Sequence, residues 1–580
     1  MASGHRVLSH PDVLNEIFQH LSPYPEALDA LEAGDMPNPT MHMSEKMLVP
    51  RRALVNAALA CRAFTEPASA VLWAVLQQGF GPLFYALPAF KVVTTLANPE
   101  LAQYGDLFGD PYTVEYTLQG EITAADWTRW RHCLKRVRYL RYSFNYPRWT
   151  VEEPFLSILL RPETQGNPVQ TSVLHALMSP SLAIVAINAH IPALFSSHLA
   201  NDLQMVFQTS KHIRRLHIQS GYRVIHMHLP LAFFRQLRAL HITPAVSLAL
   251  YNHLTNELDA LLHLKELSLA IDGDPSSAHI SATRSLQDSD IHAHVVRADA
   301  AGGFPALRRL SIAGSPFEIR QLLLKINSPV LQDVSILSSQ ETISEVEAML
   351  QSLSTDRNAS SLRKLFIELQ TEFSPIIGGA ELLYAAFRSV AGSLLSLRSL
   401  QDLELLSWNK VLSISDEDVS SMNAAWPHLR RLEIVSNVKD IHRLRDAWSP
   451  YAPEIKRPSL TALLLLAERC HSLESLKMDI ADVSEDELLT LEARAAASDV
   501  TRLQTRFRHL ILAQEDHCLH VSIPDVERVA RVVRRLFPAL EGPGEGGDDW
   551  RTRRRPSRHS WTEAQRDTDA FRLMEMLNEV

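Results

Sequence analysis

A six-residue phrase, apolar-x-x-apolar-x-apolar, recurs along most of this chain. It limits what the chain can fold into more than any other feature. It reads VRYLRY from Val137, LAIVAI from Leu182, IRRLHI from Ile213, LRALHI from Leu237, LKELSL from Leu264 and LRRLSI from Leu307. It continues as LQDVSI from Leu331, LRKLFI from Leu362, LQDLEL from Leu400, LRRLEI from Leu429, LESLKM from Leu473 and FRHLIL from Phe507. The interval between starts runs from 24 residues (213 to 237) to 45 (137 to 182). The closing positions alternate apolar with polar, as a strand with one buried face requires. Helical stretches lie between, such as PFEIRQLLLKI from Pro316, ISEVEAMLQSL from Ile343, GAELLYAAFRSVAGSLL from Gly379 and SEDELLTLEARAAA from Ser484. Strand followed by helix, repeated at this spacing, predicts an α/β solenoid of short parallel strands with outer helices. No single unit buries its own apolar face. Stacking does, and each buried Leu or Ile then contributes about 1.5–3 kcal/mol before entropy is subtracted. An ordinary doubly wound α/β domain is the competing architecture.

Composition narrows the function classes. The 580 residues are 46% hydrophobic and 21% charged, which describes a foldable, soluble chain. A net charge of −9 is mild for this length, so nothing global asks for a nucleic-acid partner. Cys61, Cys133, Cys470 and Cys518 stand far apart with no CxxC pair, which argues against a zinc site or disulfide framework and for a reducing compartment. The opening MASGHRVLSHPDVL has no apolar signal core. The most apolar run, LTALLLLA from Leu460, falls far short of the ~20 residues a membrane span needs. A cytoplasmic or nuclear protein without a membrane partner or cofactor is expected.

The N-terminal region has a different pattern. Residues 9–21 predict a helix with Ser9 as cap, Asp12 three residues on and Pro11 in the first turn, where its missing N–H costs nothing. Val13, Leu14, Ile17, Phe18 and Leu21 form one broad apolar stripe. Residues 22–50 hold five prolines and predict a loop with one short helix at 26–33. A second helix comes next, with Leu54, Ala58, Leu59, Cys61 and Phe64 facing inward, and Pro67 ends or kinks it. A further short helix carries Val71, Leu72, Trp73 and Leu76. Elsewhere, the polar insertion at 272–303 belongs on the surface, and the tail from Glu541 reads as a linker before an amphipathic helix at 562–579.

PDVLNEIFQHL, a break and LVNAALACRAFTEPASAVLW together resemble the F-box. Asp12, Val13, Leu14, Ile17 and Phe18 match its opening, Ala60, Cys61, Arg62 and Phe64 its centre, and Leu72 and Trp73 its close. Ser9-His10 stand where the family has Leu-Pro, Phe64 stands where it has Trp, and a proline-rich insertion at 22–49 separates the halves. Downstream, DWTRWRHCLKRVRYL, FPALRRLSI and WPHLRRLEI resemble the fungal, mushroom-type F-box proteins with divergent leucine-rich repeats. The resemblance implies a helical F-box module over 1–85, a repeat solenoid over 86–540 and a linker with a short helix over 541–580. It implies a Skp1-like adaptor bound at Pro11, Leu14, Ile17, Phe18, Leu21, Leu59 and Phe64, and through it a cullin–RING ubiquitin ligase. The alternative is a scaffold that binds Skp1 but joins no cullin.

Target recognition is then expected of the repeats. Their x positions include Arg214, Arg215, His217, Arg238, His241, Lys265, Glu266, Arg308, Arg309, Arg363, Lys364, Glu404, Arg430, Arg431 and Glu433. Basic residues outnumber acidic ones there. The pairs Arg308–Arg309 and Arg430–Arg431 are the candidates to hold an acidic or phosphorylated protein, because guanidinium forks bind such groups bidentately. No GxSxG elbow, P-loop or GxGxxG falls in a strand–helix context, so no enzyme is expected. His226 and His228 in HMH lack a further ligand at metal spacing, Asp272 sits in a turn sequence, and RTRRRPSR from Arg551 reads as a solvated tail, with a nuclear localisation signal or phosphate-binding patch as the alternative.

Overall fold

The computed structural model describes residues 10–22, 45–76, 83, 87–96, 112–118, 123–144, 150–151, 183–189, 212–220, 235–246, 261–271, 303–339, 343–354, 360–370, 384–408, 411–437, 456–497, 506–512, 523 and 525–540. The chain divides into two compact units, Met1–Asp272 and Gly273–Val580. The boundary falls at the start of the polar insertion.

The first unit opens with helices α1 (Pro11–His20), α2 (Glu45–Ala60) and α3 (Arg62–Ala74). Then come β1 (Val75–Leu76), β2 (Phe90–Leu96), β3 (Tyr112–Leu118), α4 (Ala124–Leu134), β4 (Tyr139–Phe144), β5 (Thr150–Val151), β6 (Ile184–Ala189), β7 (Arg215–Ser220), β8 (Ala239–Val246) and β9 (Glu266–Ile271). All pairings along the order β1-β4-β6-β7-β8-β9 are parallel. Each of the five repeat phrases in this unit becomes a strand that begins at the phrase's third residue. Leu140, Val185, Leu216, Leu240 and Leu267 share one register level and are all buried. Pro244 lies inside β8 and has no N–H for the ladder, and the register slips between Ile242 and Ala245. The strands β2, β3 and β5 form a separate small sheet.

The second unit contains β10 (Arg309–Gly314), α5 (Pro316–Lys325), β11 (Asp333–Ser339), α6 (Ile343–Leu353), β12 (Lys364–Gln370), β13 (Tyr384–Ala386), α7 (Phe387–Ala391), β14 (Asp402–Trp408) and β15 (Val411–Ser413). It closes with α8 (Asp416–Ala425), β16 (Arg431–Asn437), α9 (Leu460–Arg469), β17 (Ser475–Met478), α10 (Glu485–Ala497), β18 (His509–Leu512) and α11 (Val526–Leu536). The pairings along β10-β11-β12-β14-β16-β17-β18 are all parallel. Two buried columns cross it. One is Leu310, Val334, Leu365, Leu403, Leu432, Leu476 and Leu510; the other is Ile312, Ile336, Ile367, Leu405, Ile434, Met478 and Leu512. Two of this unit's helices begin with reciprocal caps. Ser315 and Glu318 satisfy each other's backbone at α5, and Ser415 and Asp418 do so at α8. Along the repeats the architecture is therefore α/β and solenoid-like, with parallel ladders in both units and helices between the described strands of the second, as the repeat spacing predicts; β2 and β3 pair antiparallel outside that pattern.

Local expectations need four corrections. The cap of α1 is His10, which makes no side-chain cap bond; Ser9 lies outside the described residues. Helix α2 already runs from Glu45, through Pro50, where a loop was expected. The helix break falls at Cys61, whose backbone is extended, so α3 passes through Pro67 to Ala74 and Leu76 enters a strand. Cys61 is thereby exposed instead of inward. Lastly, the stretch from Gly379 is not one helix: Tyr384–Ala386 pairs with β15, and α7 is followed by one tight turn at Gly392–Ser396. A glycine in a helix interior costs about 1 kcal/mol relative to alanine, and Gly392 marks that change of winding. The insertion helix at 26–33 and the tail helix at 562–579 lie outside the described residues, as do His226, His228, Asp272 and Arg551.

No helix among the described residues is long and apolar enough to cross a membrane.

Candidate partner-binding site

The three N-terminal helices close one core and leave other apolar side chains outside it. Leu14 and Phe18, one turn apart on α1, are 2% and 4% exposed. They pack in a cluster with Leu54 of α2, Ala68, Val71 and Ala74 of α3, Val75 of β1, and Tyr139 and Ile184 from the first repeats. Phe18 meets Phe64 edge to face, with ring centroids 5.6 Å apart. The turn between α2 and α3 is tied by the Thr65 hydroxyl, which donates to the Ala58 carbonyl at 2.8 Å. The module is also fixed to the first repeat. Val75 and Leu76 pair with Tyr139 and Leu140, and Glu66 of α3 forms an ion pair with Arg136 just after α4.

The remaining apolar residues point away from this cluster. Ile17 and Leu21, four apart, are 41% and 39% exposed, and Val49, Val55 and Leu59 of α2 are also exposed, Leu59 to 80%. Helix α2 explains why. Its apolar residues do not lie in one stripe: Leu54 faces the core while Val55 and Leu59, about 40° apart on a helical wheel, face out. Of the seven candidate residues, Leu14 and Phe18 are thus placed in the module's own core and Phe64 is half-buried against it. Ile17, Leu21 and Leu59 are presented, and the side chain of Pro11 lies outside the described residues. Val49 and Val55 join the exposed set. Sequence reasoning passed over Val49 because Pro50 suggested a loop there, and over Val55 because its neighbour one turn on, Leu59, was expected to face inward, whereas both are exposed.

The second group of candidates lies on the repeats. Arg309 reaches Asp333 on the next strand at 3.2 Å, and Arg430 holds Glu474 with both Nε and Nη2, at 3.2 and 2.9 Å. Arg308 and Arg431 are exposed and have no ion pair among the described residues. Arg215, expected on the surface, is instead buried. Its guanidinium lies 3.0 Å from the Glu266 carboxylate, two strands away across β8. The residue between them at that level is Ala239, whose methyl group leaves room for the arginine to pass. His217 and His241 stack beside this pair with ring centroids 5.9 Å apart. Charges on the second unit's sheet are mostly paired across strands too: Lys364 with Asp402 at 3.7 Å and Lys477 with Glu433 at 2.8 Å. Among the described residues no group of three or more His, Cys, Asp or Glu is gathered as a metal would need.

Compared with known proteins, the chain matches no protein-family model and no curated protein.

Proposed function

We propose that this chain is a non-catalytic receptor: α1–α3 bind a Skp1-like adaptor as an F-box does, and divergent leucine-rich repeats hold a protein target for a cullin ubiquitin ligase. The observation that carries the reading is the exposed aliphatic set Ile17, Leu21, Val49, Val55 and Leu59, on helices whose other faces are already closed. Aliphatic side chains this open lose the gain of burial unless another surface covers them. A specific interface typically buries about 800 Å² on each partner around a desolvated apolar centre, and five aliphatics on two helices can supply such a centre. The receptor's chemistry is then proximity: it holds a target lysine near a conjugating enzyme carried by the rest of the assembly.

The test is co-purification of the full chain with a Skp1-like adaptor and a cullin. Leu59→Asp and Ile17→Asp should each release the adaptor, whereas Leu262→Asp, on an equally open apolar residue of the repeats, should not. Adaptor retained by both N-terminal variants would reject the assignment. Adaptor without cullin would identify the scaffold.

A further inference from the structure

The residue just before each strand of the first unit lies at one register level. Ala183 N–H donates to the Arg138 carbonyl at 2.9 Å, Arg214 to Ala183 at 2.8 Å, Arg238 to Arg214 at 2.6 Å and Lys265 to Arg238 at 2.7 Å. Four of these five positions are therefore cations in a row. Arg214, Arg238 and Lys265 occupy successive strands, about 4.8 Å from one to the next. Arg214 and Arg238 are exposed, Arg138 and Lys265 half-buried, and none of the four has an ion pair among the described residues.

Neighbouring rows are built differently. One residue further along, Arg215 is neutralised by Glu266. At the equivalent level of the second unit the residues are Arg308, Gln332, Arg363, Gln401, Arg430, Glu474 and Arg508. There the cations fall on alternate strands, and Arg430 is clasped by Glu474. Like charges on adjacent strands repel, so the first unit's row is unfavourable in the free protein and is relieved by incoming negative charge.

We propose that Arg138, Arg214, Arg238 and Lys265 form the binding strip for an acidic, extended segment of the target protein, with its carboxylates or phosphoryl groups ranged along the row. The role of that partner as target rests on the receptor reading above; the strip itself does not. The row crosses four strand intervals, about 19 Å, which an extended peptide covers with about six residues. Arginine forks take carboxylate and phosphate bidentately, which suits both acidic and phosphorylated segments. A nucleic acid fits less well: the chain as a whole is anionic, and Tyr139, next to Arg138, is buried and offers no face for a base.

The test uses the full chain and labelled peptides: six consecutive glutamates flanked by Gly-Ser, the same peptide with phosphoserines, and a glutamine control. Both anionic peptides should bind with a salt-sensitive affinity and the control should not. Arg214→Glu with Arg238→Glu should weaken binding by roughly tenfold or more, while Arg308→Glu with Arg363→Glu should change it less than about twofold. Arg214→Gln with Arg238→Gln should weaken binding too, though less than the Glu pair, yet melt no lower than the parent, because repulsion is relieved. Unchanged peptide binding in the Glu pair, a clearly lowered melting temperature in the Gln pair, or tighter binding of single-stranded DNA or phosphatidylserine vesicles through the same arginines would overturn the proposal. Adaptor retention read on the same variants separates the two ideas. Lost peptide with retained adaptor concerns the strip alone, and peptide bound by a chain that takes no adaptor leaves the strip standing while the receptor role falls.

Discussion

The three described cysteines show how far burial sets a side chain's chemistry. Cys470 is fully buried beside Trp426 and Asn423, and burial pushes its thiol up to about 11. Cys133 is shifted upward for the same reason, opposed by the nearby Arg136 and Arg129. Cys61 stands open at the break between α2 and α3. Brief alkylation of the folded chain at mildly alkaline pH should mark Cys61 and spare Cys470, as peptide mass spectrometry can read; equal labelling would contradict the placement. Arg528 supplies a second prediction. It binds Glu492 through Nε at 3.0 Å and Nη2 at 2.8 Å, and Glu485 through Nη1 at 2.7 Å. These bonds hold the Glu492 carboxyl below the ordinary carboxylate range. A depressed carboxyl stabilises the fold above its unfolded pKa of about 4.3 and loses that contribution as pH falls through the folded value. The gap in urea midpoint between parent and Arg528→Met should therefore be widest near neutrality and narrow below about pH 4. Which side chains face inward was only half legible at this scale. Leu14, Ile17, Phe18 and Leu21 all fit one stripe, and only the position of α3 decides that Leu14 and Phe18 are the pair that is covered.

Strands were the most legible elements, because each phrase fixes two buried positions by its own alternation. Every phrase yields a strand, from Tyr139 to His509. Strands outside the phrase were missed: β2 and β3 lie ahead of the first repeat, although YTVEYTL in β3 alternates as a strand does, and β5 and β15 are only two and three residues long. Val75–Leu76 is two residues appended to a helix, and Tyr384–Ala386 hides inside a helix-like run. Helix ends were less legible, since their caps depend on neighbours. Asp418 illustrates this. It accepts from the Ser415 N–H at 2.8 Å and hydroxyl at 2.7 Å, while Arg388, from α7, donates to it at 2.9 Å. Ser415→Ala removes the oxygen that receives the Asp418 N–H and should destabilise the second unit by about 1 kcal/mol, measured by denaturant unfolding. No change would mean that Arg388 and Asp418 hold the start of α8 by themselves.

For the molecule as a whole, repetition makes the energetics short-ranged. Each strand touches the strands on its two sides, so stability accumulates by nearest-neighbour terms. Leu403 sits at the middle of the second unit's sheet between Leu365 and Leu432, fully buried. Leu403→Ala should cost about 2–5 kcal/mol, and hydrogen exchange should quicken first in β12, β14 and β16 with amides of the first unit still protected. Uniform loss of protection through both units would show a single cooperative block instead. The division at Asp272/Gly273 was not legible from the repeats, whose phrase is the same on both sides of it; only the polar run beyond Asp272 marks the place. The two residues of β1 are laced into the same ladder as Tyr139 and Leu140, with no free stretch of chain between helix and sheet. A partner that bound the outer side of α1 and α2 would consequently be held at a set angle to the first repeats, as a tool is to its handle, with no hinge to stiffen before the two act together.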